Sequence, residues 1–180
     1  LILTGGARVD RWTIHDGFFE QRDAGGALTT DTRYADRDGV AGTGRVGAVL
    51  TASPAVRLRA AGYTGFRVPT LNELYRPFTV FPIVTRANAD LRLERLRGAE
   101  LGVDLTPLPG VALGVTAFAN RLDDAVANVT LTPVLRQRQN VDAIAVRGIE
   151  ATAHVSRGSV SLDASYAFND AHVRASGIAA

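Results

Sequence analysis

The feature that most restricts the fold of this chain is an alternation of apolar and polar residues with a period of two. In the stretch SVSLDASYAFND, residues 159–170, every even position from Val160 to Phe168 is apolar and the intervening positions are mostly polar. Successive side chains of a β-strand point to opposite faces, so this pattern predicts a strand with one apolar and one polar face. Similar windows recur along the chain and predict about seven strands in an all-β fold.

The connections between these windows are of two kinds that alternate along the sequence. Tight turns are predicted at residues 53–55, 107–110 and 157–158. Much longer excursions are predicted at residues 15–43, 67–98 and 130–145. In an up-and-down antiparallel sheet, this alternation places every short turn at one end and every long loop at the other, as in outer-membrane barrels with short periplasmic turns and long extracellular loops.

The predicted strands place their charged residues on one face. That face carries Arg57, Arg59, Asp104, Glu150 and Asp163. An arginine turned toward the middle of a bilayer costs roughly 2 to 4 kcal/mol, so we expect these residues to face the barrel interior. The apolar stripe is then expected to face lipid; its members include Leu58, Val103, Ile149 and Leu162. The alternative is a soluble β-sandwich or jelly-roll binding module, which would bury the same stripe between two sheets.

Composition excludes several other classes of protein. All 20 basic residues are arginine, and they are spread along the chain with 18 acidic residues to give a net charge of +2. No basic run resembles a nucleic-acid-binding stripe, so no nucleic-acid partner is predicted. Cysteine is absent, which excludes disulfides and thiolate metal sites. The three histidines, His15, His154 and His172, are isolated in sequence, and no metal site or cofactor is predicted.

One glycine motif has the spacing of an enzyme's nucleotide-binding turn, but the residues on either side of it do not fit such a turn. The stretch GTGRVG, Gly42 to Gly47, fits the spacing of a dinucleotide-binding turn. Such a turn needs a buried strand before it and a long helix after it, whereas a polar stretch precedes this motif and Pro54 follows closely. A nucleotide-dependent enzyme is therefore the third hypothesis, and the prediction is that the chain is not an enzyme.

The stretch GFRVPTLNELYRPF, residues 65–78, changes from strand to helix halfway along. Thr70 and Glu73 have the spacing of a capping box, in which each side chain binds the other residue's backbone N–H. Pro77 ends the helix after about two turns, because proline cannot continue a helical hydrogen-bond ladder. The sequence therefore predicts a short rigid helix at the start of a long excursion.

This stretch resembles a segment of the TonB-dependent outer-membrane receptors, with Val68 where alanine is usual. Three further segments resemble the same family in the same order: Asn88 to Asp104, Phe118 to Leu131 and Arg138 to Ala153. The resemblance implies a plugged barrel of about 22 strands. It also implies that residues 1–180 are a partial barrel domain, without the plug, the first strands and the closing strand.

The resemblance implies the function and its partners as well. Family members take up a scarce ligand across the bacterial outer membrane, with energy passed through the TonB complex to the plug, and the ligand predicted here is a ferric siderophore. The partners expected here are outer-membrane lipid, the TonB complex through a plug missing from this chain, and a ferric chelate or similar small ligand. Residues proposed to contact the ligand come from the long excursions: Arg67, Glu73, Tyr75, Arg76 and Arg86.

The arginines in that set suggest the chemistry of the ligand. A planar guanidinium pairs two oxygens at once, which suits carboxylate or catecholate chelates. The alternative is that Arg67 and Glu73 only anchor the loop. Haem receptors of the family carry a histidine between the two segments that flank this excursion, and no histidine lies between Arg67 and Leu91. The sequence therefore argues against haem.

Overall fold

The structure, a computed structural model, describes residues 1–174, so residues 175–180 of the predicted domain lie outside the described part. Within it the chain forms strands and one short helix. Their bounds are β1 Ile2–Ile14, β2 Phe18–Arg22, β3 Leu28–Arg33, β4 Arg37–Ser53, β5 Val56–Arg67, α1 Leu71–Tyr75, β6 Phe78–Val80, β7 Ile83–Arg86, β8 Glu94–Leu108, β9 Val111–Thr132, β10 Leu135–Arg157 and β11 Val160–Arg174. No helix in residues 1–174 has the length and apolar character needed to cross a membrane.

The long strands form one antiparallel sheet in which chain neighbours are also spatial neighbours. Their order is β1-β4-β5-β8-β9-β10, with β11 paired to the free side of β10. Every one of these pairs is antiparallel. The predicted up-and-down arrangement is therefore confirmed. The short strands are accessory: β2 and β3 form a separate hairpin, and β6 and β7 form a hairpin whose β7 pairs in parallel with the start of β10.

The short connections lie together at one end of the sheet, as predicted. They follow β4, β8 and β10, and each leaves only two residues between strands. Two of these turns use glycine in the left-handed region, with φ of +79° at Gly110 and +62° at Gly158. Residues with a Cβ are disfavoured at such φ values, so glycine allows the chain to reverse within two residues.

The long connections at the other end are more ordered than predicted. The prediction of a loop at 130–145 is wrong, because β9 and β10 continue through most of this range and only Pro133 and Val134 separate them. The excursion at 15–43 is also shorter than predicted, since β4 already begins at Arg37 and pairs there with Ile14. The polar composition of these segments resembles that of loops, but strand pairing in water needs no continuous apolar face. The sheet therefore extends beyond the part that can lie in a membrane.

The polar face of the sheet holds its charged residues in ion pairs between neighbouring strands. Arg59 on β5 donates to both carboxylate oxygens of Asp104 on β8, at 3.0 to 3.1 Å, and to Thr116 on β9 at 3.1 Å. Arg57 lies 3.4 Å from the same carboxylate. The Arg59 guanidinium lies flat against Gly102, where a Cβ would come within 2.8 Å of Nη2. Three of the five charges predicted to share this face, Arg57, Arg59 and Asp104, therefore also contact one another.

The apolar face is not covered by any other part of residues 1–174. Leu58, Ile149 and Leu162 are between 42% and 63% exposed, although they are large aliphatic residues in the middle of long strands. A soluble sandwich would bury this stripe beneath a second sheet, so the soluble alternative is not supported. The glycine motif at residues 42–47 lies inside β4, where an antiparallel strand and not a helix follows it. The nucleotide-site hypothesis therefore has no support in the fold.

The height of the apolar band matches the hydrocarbon layer of an outer membrane. On the outward face of β10, arginines stand at positions 147 and 157. Between them the same face carries only Ile149, Ala151, Ala153 and Val155. Ten residues of strand tilted by about 40° span roughly 25 Å, which is the height of the apolar band in outer-membrane barrels. We therefore take Arg147 and Arg157 as marking the two rims of the band.

The band predicts that arginine substitutions on this face depend on depth. Val115 of β9 lies opposite Ala151 in the middle of the band, whereas Leu108 of β8 lies at the short-turn rim, and both side chains are exposed, at 43% and 65%. We expect Val115→Arg to lower the free energy of unfolding in lipid vesicles by about 2 to 4 kcal/mol, and Leu108→Arg by about 0 to 1 kcal/mol. Denaturant titration of the intact protein measures both. Equal effects of the two substitutions would contradict a lipid-facing band.

Candidate functional site

An ion-pair hub centred on Arg67 joins the long-connection end of the sheet to α1. Arg67 is the last residue of β5, and its Nη1 and Nη2 donate to the two oxygens of Glu73 in α1 at 2.8 and 3.1 Å. Its Nε donates to Glu94, the first residue of β8. One guanidinium therefore bridges two carboxylates from different elements, which fixes the position of α1 above the β5–β8 pair.

The Glu73 carboxylate also completes the predicted capping box of α1. It accepts from Thr70 N at 2.7 Å and from the Thr70 hydroxyl at 2.9 Å, while Glu73 N donates to Thr70 Oγ1 at 3.3 Å. Burial alone would raise the pKa of Glu73, but the hydrogen bonds from Arg67 and Thr70 outweigh it and lower that pKa to about 2. Glu73 therefore stays ionised over the ordinary pH range and holds both Arg67 and the helix N-terminus.

Glu94 extends the hub to the next strand. Its side chain is buried, and its Oε1 accepts from the backbone N–H of Val126 on β9 at 2.7 Å. A buried carboxylate is costly unless it is paired and hydrogen-bonded, and Glu94 has both kinds of partner. Through it, the hub links three consecutive long strands to the helix.

A small apolar core lies directly beneath α1. It consists of Leu74, Tyr75 and Leu91, all buried. The Tyr75 ring stacks on Tyr34 with centroids 4.3 Å apart, and its edge lies so close to Gly17 that a Cβ there would be 2.9 Å from the ring. Residues from the connection between β1 and β4 thus pack against the connection between β5 and β8.

Backbone carbonyls of the segment that follows α1 are held by polar side chains from the sheet. Arg37 donates to the carbonyls of Ala89 and Leu91, both at 2.6 Å.

Strand β10 holds the same excursion from its other side. Arg138 of β10 donates to the carbonyls of Asn72 and Arg76. Asn140, two residues further along β10, exchanges hydrogen bonds with the backbone of Arg92, at 2.8 and 3.1 Å. The whole excursion between β5 and β8 is therefore fixed to its neighbours at many points.

The structure divides the five predicted ligand contacts into two groups. Arg67 and Glu73 belong to the hub, as the anchoring alternative predicted, and Tyr75 lies in the apolar core. Arg76 and Arg86 are exposed, and neither guanidinium has a hydrogen-bond or ion-pair partner within residues 1–174. Contact of any of the five residues with a ligand stays a prediction, and Arg76 and Arg86 are the two whose charges are unpaired within the described residues.

Both free arginines lie beside the outer part of β10. The Arg76 carbonyl accepts from Arg138, and Arg86 is in register with Gln137. Arg136 of β10 is also exposed and likewise has no partner in the described chain. It is in register with Thr85, so it lies on the opposite face of the sheet from Arg86. We call Arg76, Arg86 and Arg136 the tip arginines. Arg138, by contrast, is held by carbonyls and lies 5.2 Å from the centre of the Phe78 ring.

Sequence reasoning missed several residues that build this site. Glu94, Arg138 and Asn140 are hub or anchoring residues that were not singled out. A signal was available, because all three lie in the segments that carry the family resemblance, residues 88–104 and 138–153. Their contacts span 16 to 66 positions of sequence, so no local pattern could reveal the partners.

Histidine and aspartate pairs elsewhere in the described chain form no metal centre. No group of three or more metal-ligating side chains occurs within residues 1–174. His154 instead pairs with Asp163 at 2.7 Å across the β10–β11 ladder. Asp123 and Asp124 have different partners, since Asp123 binds Arg97 and Arg121 whereas Asp124 binds Arg92.

Loss of the Glu73 charge should loosen α1 without unfolding the sheet. In Glu73→Gln, the capping box is weakened and Arg67 keeps only Glu94 as an acidic partner. We expect the helical amides of Leu74 and Arg76 to exchange about 5- to 30-fold faster, which corresponds to a local loss of roughly 1 to 2 kcal/mol. Hydrogen exchange read by mass spectrometry measures this. Glu150→Gln is the matched control, and equal acceleration in both variants would argue against a specific hub.

The lowered pKa of Glu73 also predicts how the hub responds to acid. The pKa is about 2 in the folded protein and 4.5 ordinarily, so the stabilisation is complete above pH 4.5 and is lost as the pH falls toward 2. We expect exchange at Leu74, normalised to that of Glu73→Gln, to lose its protection across this window. A ratio that stays constant from pH 6 to about pH 2 would contradict the assignment.

Comparison with known proteins gives the family of this fold. The family model described as TonB dependent receptor-like, beta-barrel, matches residues 1–179. The vitamin B12 transporter BtuB of Vibrio vulnificus (strain YJ016) is 28% identical over 119 residues, which are 66% of this chain and 18% of BtuB. The chain therefore spans less than a fifth of the length of that relative.

Solved structures share the fold. The hemophore receptor HasR of Serratia marcescens, in complex with its hemophore HasA and heme, superposes with a TM-score of 0.76 at 18% identity, covering 93% of this chain and 31% of HasR. The FrpB iron transporter from Neisseria meningitidis superposes with a TM-score of 0.63 at 18% identity, covering 95% of this chain and 23% of FrpB. Together with the family match and the exposed apolar band, these findings place the sheet in the bacterial outer membrane. The chain belongs to the TonB-dependent receptor family, of whose β-barrel it forms a part.

Proposed function

We propose that this chain is part of the wall of a receptor that takes up a ferric siderophore across the outer membrane. In this proposal the excursion between β5 and β8 lies at the outer surface, because long connections are extracellular in such barrels. The ligand binds there without any bond being made or broken in it. Energy for release reaches the receptor through the TonB complex and a plug that lies outside this chain.

The observation that carries the proposal is the state of the tip arginines. Arg76, Arg86 and Arg136 are exposed cations without acidic partners in the described chain. The first two lie on the excursion that the hub holds in place, and Arg136 lies on the adjoining strand β10. Guanidinium groups favour oxygen pairs, and a fixed scaffold lowers the entropy lost on binding. Anionic chelates with carboxylate or catecholate oxygens therefore suit this surface.

The names of the similar proteins support uptake as the function, but they differ in the ligand that they mention. FrpB is named as an iron transporter, HasR as a hemophore receptor and BtuB as a vitamin B12 transporter. The absence of histidine between Arg67 and Leu91 removes the usual axial ligand of haem from this excursion. Cyanocobalamin is neutral overall, because its single phosphodiester anion is balanced by the cobalt centre. A ferric siderophore fits the charge of the surface better than either.

We also propose that residues 1–180 form a partial barrel domain. The long sheet has β1 at one edge and β11 at the other, each with an outer side that is unpaired within residues 1–174. A bilayer offers no hydrogen bonds to open strand edges, so strands from elsewhere in the receptor must complete the wall. Barrels of about 22 strands enclose a plug, and this sheet would supply roughly a third of such a wall.

Uptake and binding measurements on the intact receptor test the function. We expect Arg76→Ala and Arg86→Ala each to weaken binding of ferric enterobactin or ferric citrate about tenfold, as is typical for the loss of a charged hydrogen bond. Binding of the ⁵⁵Fe-labelled chelates to cells at 4 °C, and their uptake at 37 °C, give affinity and transport separately.

Arg157→Ala is the matched control, since Arg157 is an exposed arginine at the opposite end of the sheet. It should leave both chelates unaffected. Haem and cyanocobalamin serve as comparison ligands. Tight binding of either one, with unchanged affinity for both chelates in the Arg76 and Arg86 variants, would overturn the siderophore proposal.

A further inference from the structure

Strands β4 and β5 separate at their outer ends and leave a gap in the sheet. Their ladder ends at the pair Arg45–Tyr63, although β4 stays paired with β1, and β5 with β8, as far as their outer ends. Residues 37–44 of β4 and residues 64–67 of β5 therefore have no strand partner on the sides that face each other. We call the gap between these two edges the strand cleft.

The strand cleft begins immediately above the apolar band. Gly62, next to the last pair of the β4–β5 ladder, is in register with Arg147 at the upper rim, through the intervening strands β8 and β9. Unpaired strand edges are too costly in lipid, whereas above the band water can reach them. The cleft therefore opens sideways in the part of the wall that stands outside the membrane.

The side chain of Thr64 identifies the backbone groups that face the cleft. Its hydroxyl accepts from Gly44 N at 2.9 Å and donates to the Gly44 carbonyl at 3.4 Å, so both backbone groups of Gly44 point toward β5. The backbone groups of an antiparallel strand alternate in direction, so those of Gly42, Val40 and Asp38 also point into the cleft and away from β1. Within residues 1–174 no strand or side chain pairs with them.

A cavity of about 660 Å³ lies at the base of the cleft, between β4 and β5. Its lining includes Arg45 and Glu100, which lie on the inward face of the sheet and have no hydrogen-bond or ion-pair partner within residues 1–174. On the outward face, Val40 and Phe66 flank the cleft. An occupant would therefore meet charges on its inward side and apolar side chains on its outward side.

We propose that an extended segment of the same receptor, from outside residues 1–180, inserts into the strand cleft as an additional strand. An extended backbone can pair with both edges at once, and strand addition is a recurring mode of peptide recognition. Neighbouring side chains on one face of a sheet favour matching chemistry. The segment is therefore expected to alternate, with apolar residues beside Val40 and Phe66 and charged residues beside Arg45 and Glu100.

A segment of the same receptor is favoured over a separate protein or a second copy of the chain. An open strand edge pairs readily with other chains, and proteins usually cover such edges themselves. The chain covers only 31% of HasR and 18% of BtuB, so receptors of this family have ample chain to supply the segment. A tethered segment also has a high effective concentration. Filled in this way, the wall has no lateral gap through which a ligand could leave.

Hydrogen exchange of the intact receptor, resolved to single amides by electron-transfer fragmentation, tests whether the cleft is filled. We expect the cleft-facing amides of Val40 and Gly42 to exchange as slowly as the β1-facing amides of Ala41 and Thr43, roughly a hundredfold more slowly than an unprotected amide. Exchange of Val40 and Gly42 at the unprotected rate, with Ala41 and Thr43 still protected, would overturn the proposal.

A proline substitution tests the same pairing from the chain's own side. Val40→Pro removes one cleft-facing N–H and leaves the bonds to β1, which come from the alternate residues of β4. Loss of one hydrogen bond to the inserted segment should make the Gly42 amide exchange about fivefold faster. Val9→Pro is the matched control, because Val9 lies opposite Gly42 and its N–H points away from β4. An unchanged Gly42 rate in Val40→Pro, or equal acceleration in both variants, would contradict the insertion.

Photo-crosslinking identifies the source of the segment. With p-benzoylphenylalanine in place of Phe66, we expect a cross-link within one receptor molecule that mass spectrometry maps to an alternating segment outside residues 1–180. The same label in place of Leu50, on β4 within the band, should not reach that segment. Cross-links from position 66 that join two receptor molecules, reach a different protein or stay within residues 1–180 would overturn the proposal.

The proposal rests on residues 1–180 being a partial domain, and it is independent of the transported ligand. The mass of the intact receptor shows separately whether the chain continues beyond these residues. Siderophore binding and uptake are not readouts of either experiment. Failure of this proposal is therefore distinguishable from failure of the proposed function.

Discussion

The register of the antiparallel ladder is the constraint on which the rest of the structure depends. Side chains alternate between faces, so a slip of one residue would turn Arg57 and Arg59 into lipid and Leu58 into the interior. The pairing of Arg59 with Asp104 opposes such a slip, because it needs both residues on the same face of adjacent strands. Lipid on one side and an ion-pair network on the other thus favour the same register.

Where the sheet leaves the membrane, the physical requirements on it change. Within the band, exposed residues must be apolar and backbone groups must be paired within the sheet. Above the band, water can solvate polar side chains and unpaired backbone groups, and the strands carry accessory segments such as α1. The hub sits at this transition, since Arg67 ends β5 and Glu94 begins β8. A bidentate ion pair and a buried carboxylate at this point make the outer segment a fixed extension of the wall.

The sequence predicts those features that depend on neighbouring residues. Alternation locates the long strands, glycine marks two of the tight turns, and the spacing of Thr70 and Glu73 predicts the capping box that the structure contains. Features that depend on distant partners were not predictable. The outer parts of β9 and β10 have the composition of loops. They form strands because they pair with each other, which composition alone does not reveal. Arg67 and Arg76 look equivalent in sequence. Arg67 is an anchor because Glu94 lies within hydrogen-bond reach of it, whereas Arg76 has no such partner in the described chain.

Several arginines of this chain make contacts that lysine could not make. Arg67 binds two carboxylates and Arg37 binds two carbonyls, and both contacts use the fixed fork of the guanidinium, which lysine lacks. The same fork is present at the tip arginines, where the described chain provides no acceptor. An exposed arginine is common and by itself implies nothing. Arg76 and Arg86 differ in that they lie on an outer excursion that the hub holds in place, so that an oxygen anion from outside the chain can bind them with little loss of conformational freedom in the scaffold.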